Sequence, residues 1–181
     1  MRSRSLSAGE VLLVACLSVL EIGDPILRQV AQPVAQEMIS IPEFQAFLVD
    51  LVDTLRSHHG VGLAAPQVGR SLRAIAVECH NNPRYPEAPD IALQIWLNPE
   101  IVDDSAQTCS FTEGCLSVPD RRGEIWRPDW VRLSAYNSDG DRVEFTASGF
   151  LARVLQHEID HLNGILFIDR LRSPASTTSA V

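Results

Sequence analysis

The chain has 181 residues, 45% hydrophobic and 21% charged, the balance of one globular domain with a single core rather than of a disordered or fibrous chain. Its formal net charge of −8 leaves no cationic footprint for gripping phosphate backbones, which argues against direct DNA or RNA binding. Four cysteines, Cys16, Cys79, Cys109 and Cys115, are too few for a disulfide scaffold and point to a reducing compartment in which at most one has a chemical role.

At the N-terminus, Arg2 and Arg4 precede an apolar run from Val11 to Leu20, in the manner of a short signal peptide, and Leu13-Val14-Ala15-Cys16 resembles a lipoprotein processing site. The run is interrupted by Ser18, ends in Glu21 and is too short to span a bilayer. Residues 1–18 are therefore set apart as an extension: disordered, a targeting segment, or the product of a misassigned start. No other stretch reads as transmembrane. Ile22-Gly23-Asp24-Pro25 reads as a turn, and Pro33 as a second break. From Pro42 to about His58 the residues Phe44, Phe47, Leu48, Leu51, Val52 and Leu55 recur at helical spacing, with Pro42 near the start, where a missing N–H costs little. Gly60 to Gln67 is a loop of small residues, Leu72 to Val77 a short strand, and Asn81 to Asp90, with three prolines, a surface loop. Ile91 to Leu97 and Val131 to Tyr136 read as strands. Asn137-Ser138-Asp139-Gly140 is a hairpin turn, with Arg142 to Phe145 returning from it. A second helix runs from about Ser148, its N-cap, to Leu162, with Gly164 as the residue beyond its end. Residues 173–181 are small and polar and are set apart as a disordered tail. Helix, several strands, helix is an α+β pattern in one domain, spanning 19–172.

His157-Glu158-Ile159-Asp160-His161 carries the strongest chemical signal. Residues four apart share one helix face, so two imidazoles there can reach one metal ion, and Glu158 can contact a water at that ion without being a ligand. The bland alternative is two surface histidines with an acid between them. The third ligand decides the class. In one kind of metalloprotease it is a histidine at the position occupied here by Phe167; in another it is a later glutamate, and no glutamate follows His161. An upstream ligand is therefore expected. Cys115, in Glu113-Gly114-Cys115-Leu116-Ser117, would complete a three-ligand set with an open fourth position, the pattern of catalytic sites. It could equally be a small buried hydrophobe, and spacing alone favours it over Cys109 only slightly. In the glycine loop, Gln67 offers an amide able to donate to a developing oxyanion, or simply closes a turn.

Together, Gly60-Val61-Gly62-Leu63-Ala64-Ala65-Pro66-Gln67, Glu113-Gly114-Cys115-Leu116-Ser117 and Gln156-His157-Glu158-Ile159-Asp160-His161 resemble the three signature motifs of the peptide deformylase family, in the right order. The resemblance runs from about Val19 to Leu171. It implies an α+β fold with antiparallel β-sheets packed around a central metal-binding helix. It implies a hydrolase that removes the formyl group from N-terminal formyl-methionine of new polypeptides and releases formate, with Glu158 as general base and acid. Cys115, His157 and His161 become the metal ligands, Gln67 and the Leu116 N–H the oxyanion donors, and Gly62, Val61 and Arg122 contacts for the peptide. From its place on the helix, Asp160 is a candidate to orient a ligand histidine, or simply an acid on the helix face. The implied cofactor is one divalent ion, Fe²⁺ first, with Zn²⁺, Ni²⁺ or Co²⁺ as substitutes. The implied setting is the cytoplasm, with nascent chains as partners, ribosome association, and no membrane or DNA; the extension leaves open an organelle or exported form. Two departures stand out: Asp120 occupies a position where many members have glycine, and the C-terminal helix that many bacterial members carry is missing, which bears on ribosome contact. The competing readings are another metallopeptidase with the same helix motif, or an inactive metal-binding relative.

Overall fold

The computed structural model describes residues 16–171 and the backbone of Thr177–Ser179. A short helix α1 (Gln36–Ile39) leads into α2 (Pro42–Ser57), whose first turn accommodates Pro42. Then follow β1 (Gly62–Ala64), β2 (Ala74–Cys79), β3 (Ile91–Asp104), β4 (Thr108–Cys115), β5 (Val118–Pro128), β6 (Trp130–Tyr136) and β7 (Arg142–Ser148). Helix α3 (Gly149–Leu162) and the short strand β8 (Thr177–Ser179) complete the chain. Two antiparallel sheets result, one of order β1-β2-β3-β6-β7 and one of order β4-β5-β8.

The continuous apolar run Ala74-Ile75-Ala76-Val77 is explained by a helix on each face of β2. Ile75 and Val77 belong to one cluster with Ala152, Leu155, Ile159 and Leu162 of α3. Ala76, on the opposite face, packs with Leu51, Val52 and Leu55 of α2. Helix α3 thus lies between the large sheet and the small one, and each presses a different side of it.

Its ends are fixed differently. Ser148 occupies the N-cap position, but its side chain makes no capping hydrogen bond; the preceding strand β7 runs straight into the helix through Gly149 at φ 56°. At the C-terminal end Gly164 adopts φ 72°, and the Gly164 and Ile165 N–H groups return to the His161 and Asp160 carbonyls. This left-handed closure caps the turn that carries His161.

Four expectations need correction. The strand expected at Leu72–Val77 runs from Ala74 to Cys79. Gly60 to Gln67 is not all loop: β1 and a 3-10 turn at Ala65–Val68 lie within it. Strand β3 continues seven residues past Leu97, to Asp104. The β4–β5 hairpin, which carries Cys115, was not legible as strand at all, because β5 turns the charged Arg127 inward beside Ile125. The Asn137–Gly140 turn is present, with Asn137 Oδ1 accepting from the Asp139 and Asp141 N–H groups. The signal-like and lipoprotein-like readings fall on residues 1–15, outside the described residues. Cys16 is exposed, and the Leu17 N–H donates to Thr54 Oγ1. The tail set apart from residue 173 is largely outside the described residues too; within it the backbone of Thr177–Ser179 pairs with Arg121–Gly123. Among the described residues no helix is long and apolar enough to cross a membrane.

Candidate metal centre

Helix α3 sets His157 and His161 one turn apart on one face, their ring centroids 5.0 Å from each other. The end of β4 brings Cys115 against them, with Sγ 3.2 Å from His161 Nε2. One donor atom from each of the three lies within 4.8 Å of the others. Separations of this size are what neighbouring corners of a tetrahedron require when metal–sulfur and metal–nitrogen bonds are about 2.3 and 2.0 Å. A thiolate and two imidazoles fit one divalent ion and leave a fourth corner free. Cys109 does not join the group: its Sγ faces the Arg153 guanidinium at 3.4 Å. Phe167, at the position where one class of metallopeptidase has its third histidine, is buried and stacks on the His157 ring.

Glu158 is 3% exposed, and its Oε2 has no hydrogen-bond partner among the described residues. Burial pushes its carboxyl up to about 7, against the lowering effect of the His157 and Arg127 charges. The glycine loop passes so close that a Cβ on Gly62 would lie 2.2 Å from Glu158 Oε1. Gln67 is oriented by the backbone: its Oε1 accepts from the Ala64 N–H at 2.9 Å. That leaves Nε2 to donate to Ser117 Oγ at 3.1 Å, with Cys115 Sγ at 3.5 Å. Val61, Gly62 and Leu116 line the same cavity. Arg122 stands at its edge, beside Gly114, with its guanidinium over the Tyr85 ring.

Behind the ligands lies a buried ionic network that sequence reasoning missed. His157 Nδ1 meets Glu113 Oε2 at 3.0 Å, so Glu113, not Asp160, is the acid that orients a ligand histidine. Arg127 grips Glu113 through two hydrogen bonds and extends a third to Asp160 Oδ2 at 2.8 Å. Arg153 adds a bond to Glu113 Oε1, and Arg170 closes on Asp160 from outside. Burial alone would raise the Glu113 carboxyl, but hydrogen bonds from Arg127 and His157 hold it well below the usual carboxylate range. Burial lowers His157 too, yet its hydrogen bonds to Cys115 and Glu113 carry it well above the ordinary imidazole value. His161, buried with no such acid and facing the His157 charge, moves the other way. The signal for Glu113 was available: on a strand it shares a face with Cys115, two residues on. Tyr85, Phe111 and Phe150, whose rings lie 5.7–6.5 Å apart, wall the cavity and were not anticipated either.

A sequence profile of the polypeptide deformylase family matches residues 16–177. A peptide deformylase of Leptospira biflexa is 42% identical over 161 residues, covering 88% of this chain and 90% of that protein. Peptide deformylase 2 of Bordetella bronchiseptica is 44% identical over 155 residues, covering 86% and 87%. Among solved structures, a Met-Ala-Ser-bound class I type b peptide deformylase from Acinetobacter baumannii superposes with a TM-score of 0.85 at 41% identity. That match covers 88% of this chain and the whole of the other.

Proposed function

The chain belongs to the peptide deformylase family, and from that premise we propose that Cys115, His157 and His161 bind the catalytic ion while Glu158 moves the proton that frees formate from formyl-methionine at the start of new polypeptides. The observation that carries the assignment is the convergence of those three donor atoms beside an unpartnered carboxylate oxygen.

The ion is a single divalent metal, and Fe²⁺ is the identity we propose, with Zn²⁺, Ni²⁺ or Co²⁺ able to occupy the same thiolate and imidazole donors. When bound, it supplies a Lewis-acid charge that lowers the pKa of a water molecule from near 16 toward about 7. Glu158, buried with one carboxylate oxygen unpartnered among the described residues, is placed to accept a proton from the attacking water as the new C–O bond forms to the formyl carbon. A carboxyl held near 7 by burial can take the proton and return it at neutral pH, here to the leaving amine as the C–N bond breaks. Gln67 Nε2 and the Leu116 N–H donate to the formyl oxygen as it becomes negative; one such donor is worth roughly 3–4 kcal/mol. The Gly62 and Val61 backbone and Arg122 hold the peptide. Glu113 keeps the His157 ring in place through Nδ1, leaving Nε2 for the ion.

We propose residues 19–172 as the catalytic domain, with 1–18 as an N-terminal extension and 173–181 as a tail. We place the enzyme in the cytoplasm, acting on nascent chains at or near the ribosome. The test is a pair of assays on anaerobically purified protein: formate release from formyl-Met-Ala-Ser amide, and cleavage of an unformylated peptide. Formate without internal cleavage is expected; internal cleavage without formate makes the chain a general metallopeptidase. Glu158→Ala is expected to retain the metal and lose formate release by at least a hundredfold. An active Glu158→Ala variant moves the base elsewhere, and full metal content in inactive wild type favours a non-catalytic relative.

A further inference from the structure

Two arginines at the mouth of the cavity lack what the other cations around it have. Arg127, Arg153 and Arg170 are spent on Glu113 and Asp160. Arg28, Arg56 and Arg132 pair with Asp169, Glu78 and Asp103 elsewhere on the surface. Arg84 lines the cavity, is half-buried, and enters no ion pair among the described residues. Arg122 is half-buried too; its guanidinium lies 5.3 Å from the centroid of the Tyr85 ring, and it likewise meets no carboxylate among the described residues.

The backbone that carries Arg84 is fixed, and the Arg122 side chain is held over a ring. The Arg84 N–H donates to Asn82 Oδ1 at 2.9 Å, and the Asn82 amide donates to the His59 and Gly60 carbonyls at 3.0 and 3.1 Å. The proline-rich loop is thereby tied to the start of the glycine loop. Arg122 is steadied from the other side: it is the register partner of Gly114, and a Cβ on Gly114 would lie 3.3 Å from its Cγ. Tyr85 sits between the two, next in sequence to Arg84 and under Arg122, with its ring on the cavity wall. In a chain of net charge −8, an anionic substrate meets general repulsion, and Arg84 and Arg122 set beside the cavity two cations with no carboxylate partner among the described residues.

We propose that Arg84 and Arg122 select formyl-peptides that carry a carboxylate just beyond the formyl-methionine. This rests on the deformylase reading above. The carboxylate can come from an aspartate or glutamate side chain at the second or third residue, or from the free C-terminus of a short peptide. Partly exposed pairs of this kind give a modest preference, roughly three- to tenfold in kcat/KM, expressed in KM and weakened by salt.

The experiment compares formate release from formyl-Met-Ala-Glu amide, formyl-Met-Ala-Gln amide and formyl-Met-Ala-Lys amide, from formyl-Met-Glu-Ser and formyl-Met-Gln-Ser amides, and from formyl-Met-Ala-Ser as amide and as free acid. The neutral amides serve the deformylase reading itself, which fails if none of them yields formate. Given turnover, glutamate is expected to exceed glutamine at one of the two positions, or the free acid its amide, with lysine lowest. The preference should shrink between 0.05 and 0.5 M salt and fall toward unity in Arg84→Gln/Arg122→Gln, read as a ratio within each protein. Ratios within twofold of one in every carboxylate arm of the wild type overturn the proposal. So does a preference that persists unchanged in the double variant and at high salt.

Discussion

In the proposed mechanism, Gly62 and Gln67 make the chemistry depend on atoms that never react. A methyl group on Gly62 would need the space that Glu158 Oε1 occupies, so Gly62→Ala should displace the base while leaving the three metal donors in place. The expected result, from steady-state kinetics with metal analysis, is kcat reduced at least tenfold with one ion per chain retained. Gln67→Ala removes a donor whose orientation the Ala64 N–H enforces, and the expected loss is about a hundredfold or more in kcat with little change in KM. Both residues are picked out in the amino-acid sequence by the resemblance of the three motifs to a known family; taken by itself, Gln67 could equally close a turn. Glu113 was present in the same motif but hidden in role: its meaning depends on β4 being a strand, which puts it on the same face as Cys115. Asp160 was misread for the converse reason. A helix acid beside two histidines suggests a direct contact, whereas the structure turns it toward Arg127 and Arg170, with Arg127 bonded in turn to Glu113 and Glu113 to His157.

The elements divide into those that follow their sequence pattern and those that work against it. Helix α2 was readable from its apolar periodicity, α3 from its apolar residues and histidine motif, and β2 from a continuous apolar run. The β4–β5 hairpin was not, because it trades apolar pattern for ionic function: Ile125 and Arg127 both point inward, and only the first looks like core. Arg127 ties the small sheet to α3, with its side chain 3% exposed and its charge matched by Glu113 and Asp160. Replacing one partner of such a network strands the others without compensation, so Arg127→Met should cost about 3–5 kcal/mol of stability, measured by urea denaturation of the metal-free protein. A loss below about 1 kcal/mol would mean the network adds little to docking of the hairpin on the helix. At the helix end, Gly164 stands at φ 72°, where a Cβ would lie 2.6 Å from the Arg28 carbonyl; the close chain approach there is what lets the turn bearing His161 end where it does. Asp120 adopts φ 58°, in the left-handed region that favours glycine.

At the scale of the whole molecule, the two sheets and α3 form a vice that puts a loop, a hairpin and a helix around one point, and the acid sensitivity of that assembly follows from its buried carboxylate. Glu113 titrates well below its unfolded value, so the stability it contributes is fully present above the unfolded carboxyl pKa of about 4.3 and is lost as pH falls below it. Thermal unfolding of metal-free protein should therefore show a Tm that drops steeply below that pH, with a shallower slope, from a lower starting value, in Glu113→Gln. Parallel slopes would assign acid unfolding to other groups. The convergence of strand β4 with helix α3 is the claim on which everything else depends, and X-ray absorption at the edge of the bound metal tests it most directly. One sulfur scatterer at about 2.3 Å with two nitrogen scatterers at about 2.0–2.1 Å is the expected first shell, with the sulfur lost in Cys115→Ser. A wild-type shell of nitrogen and oxygen alone would contradict the account.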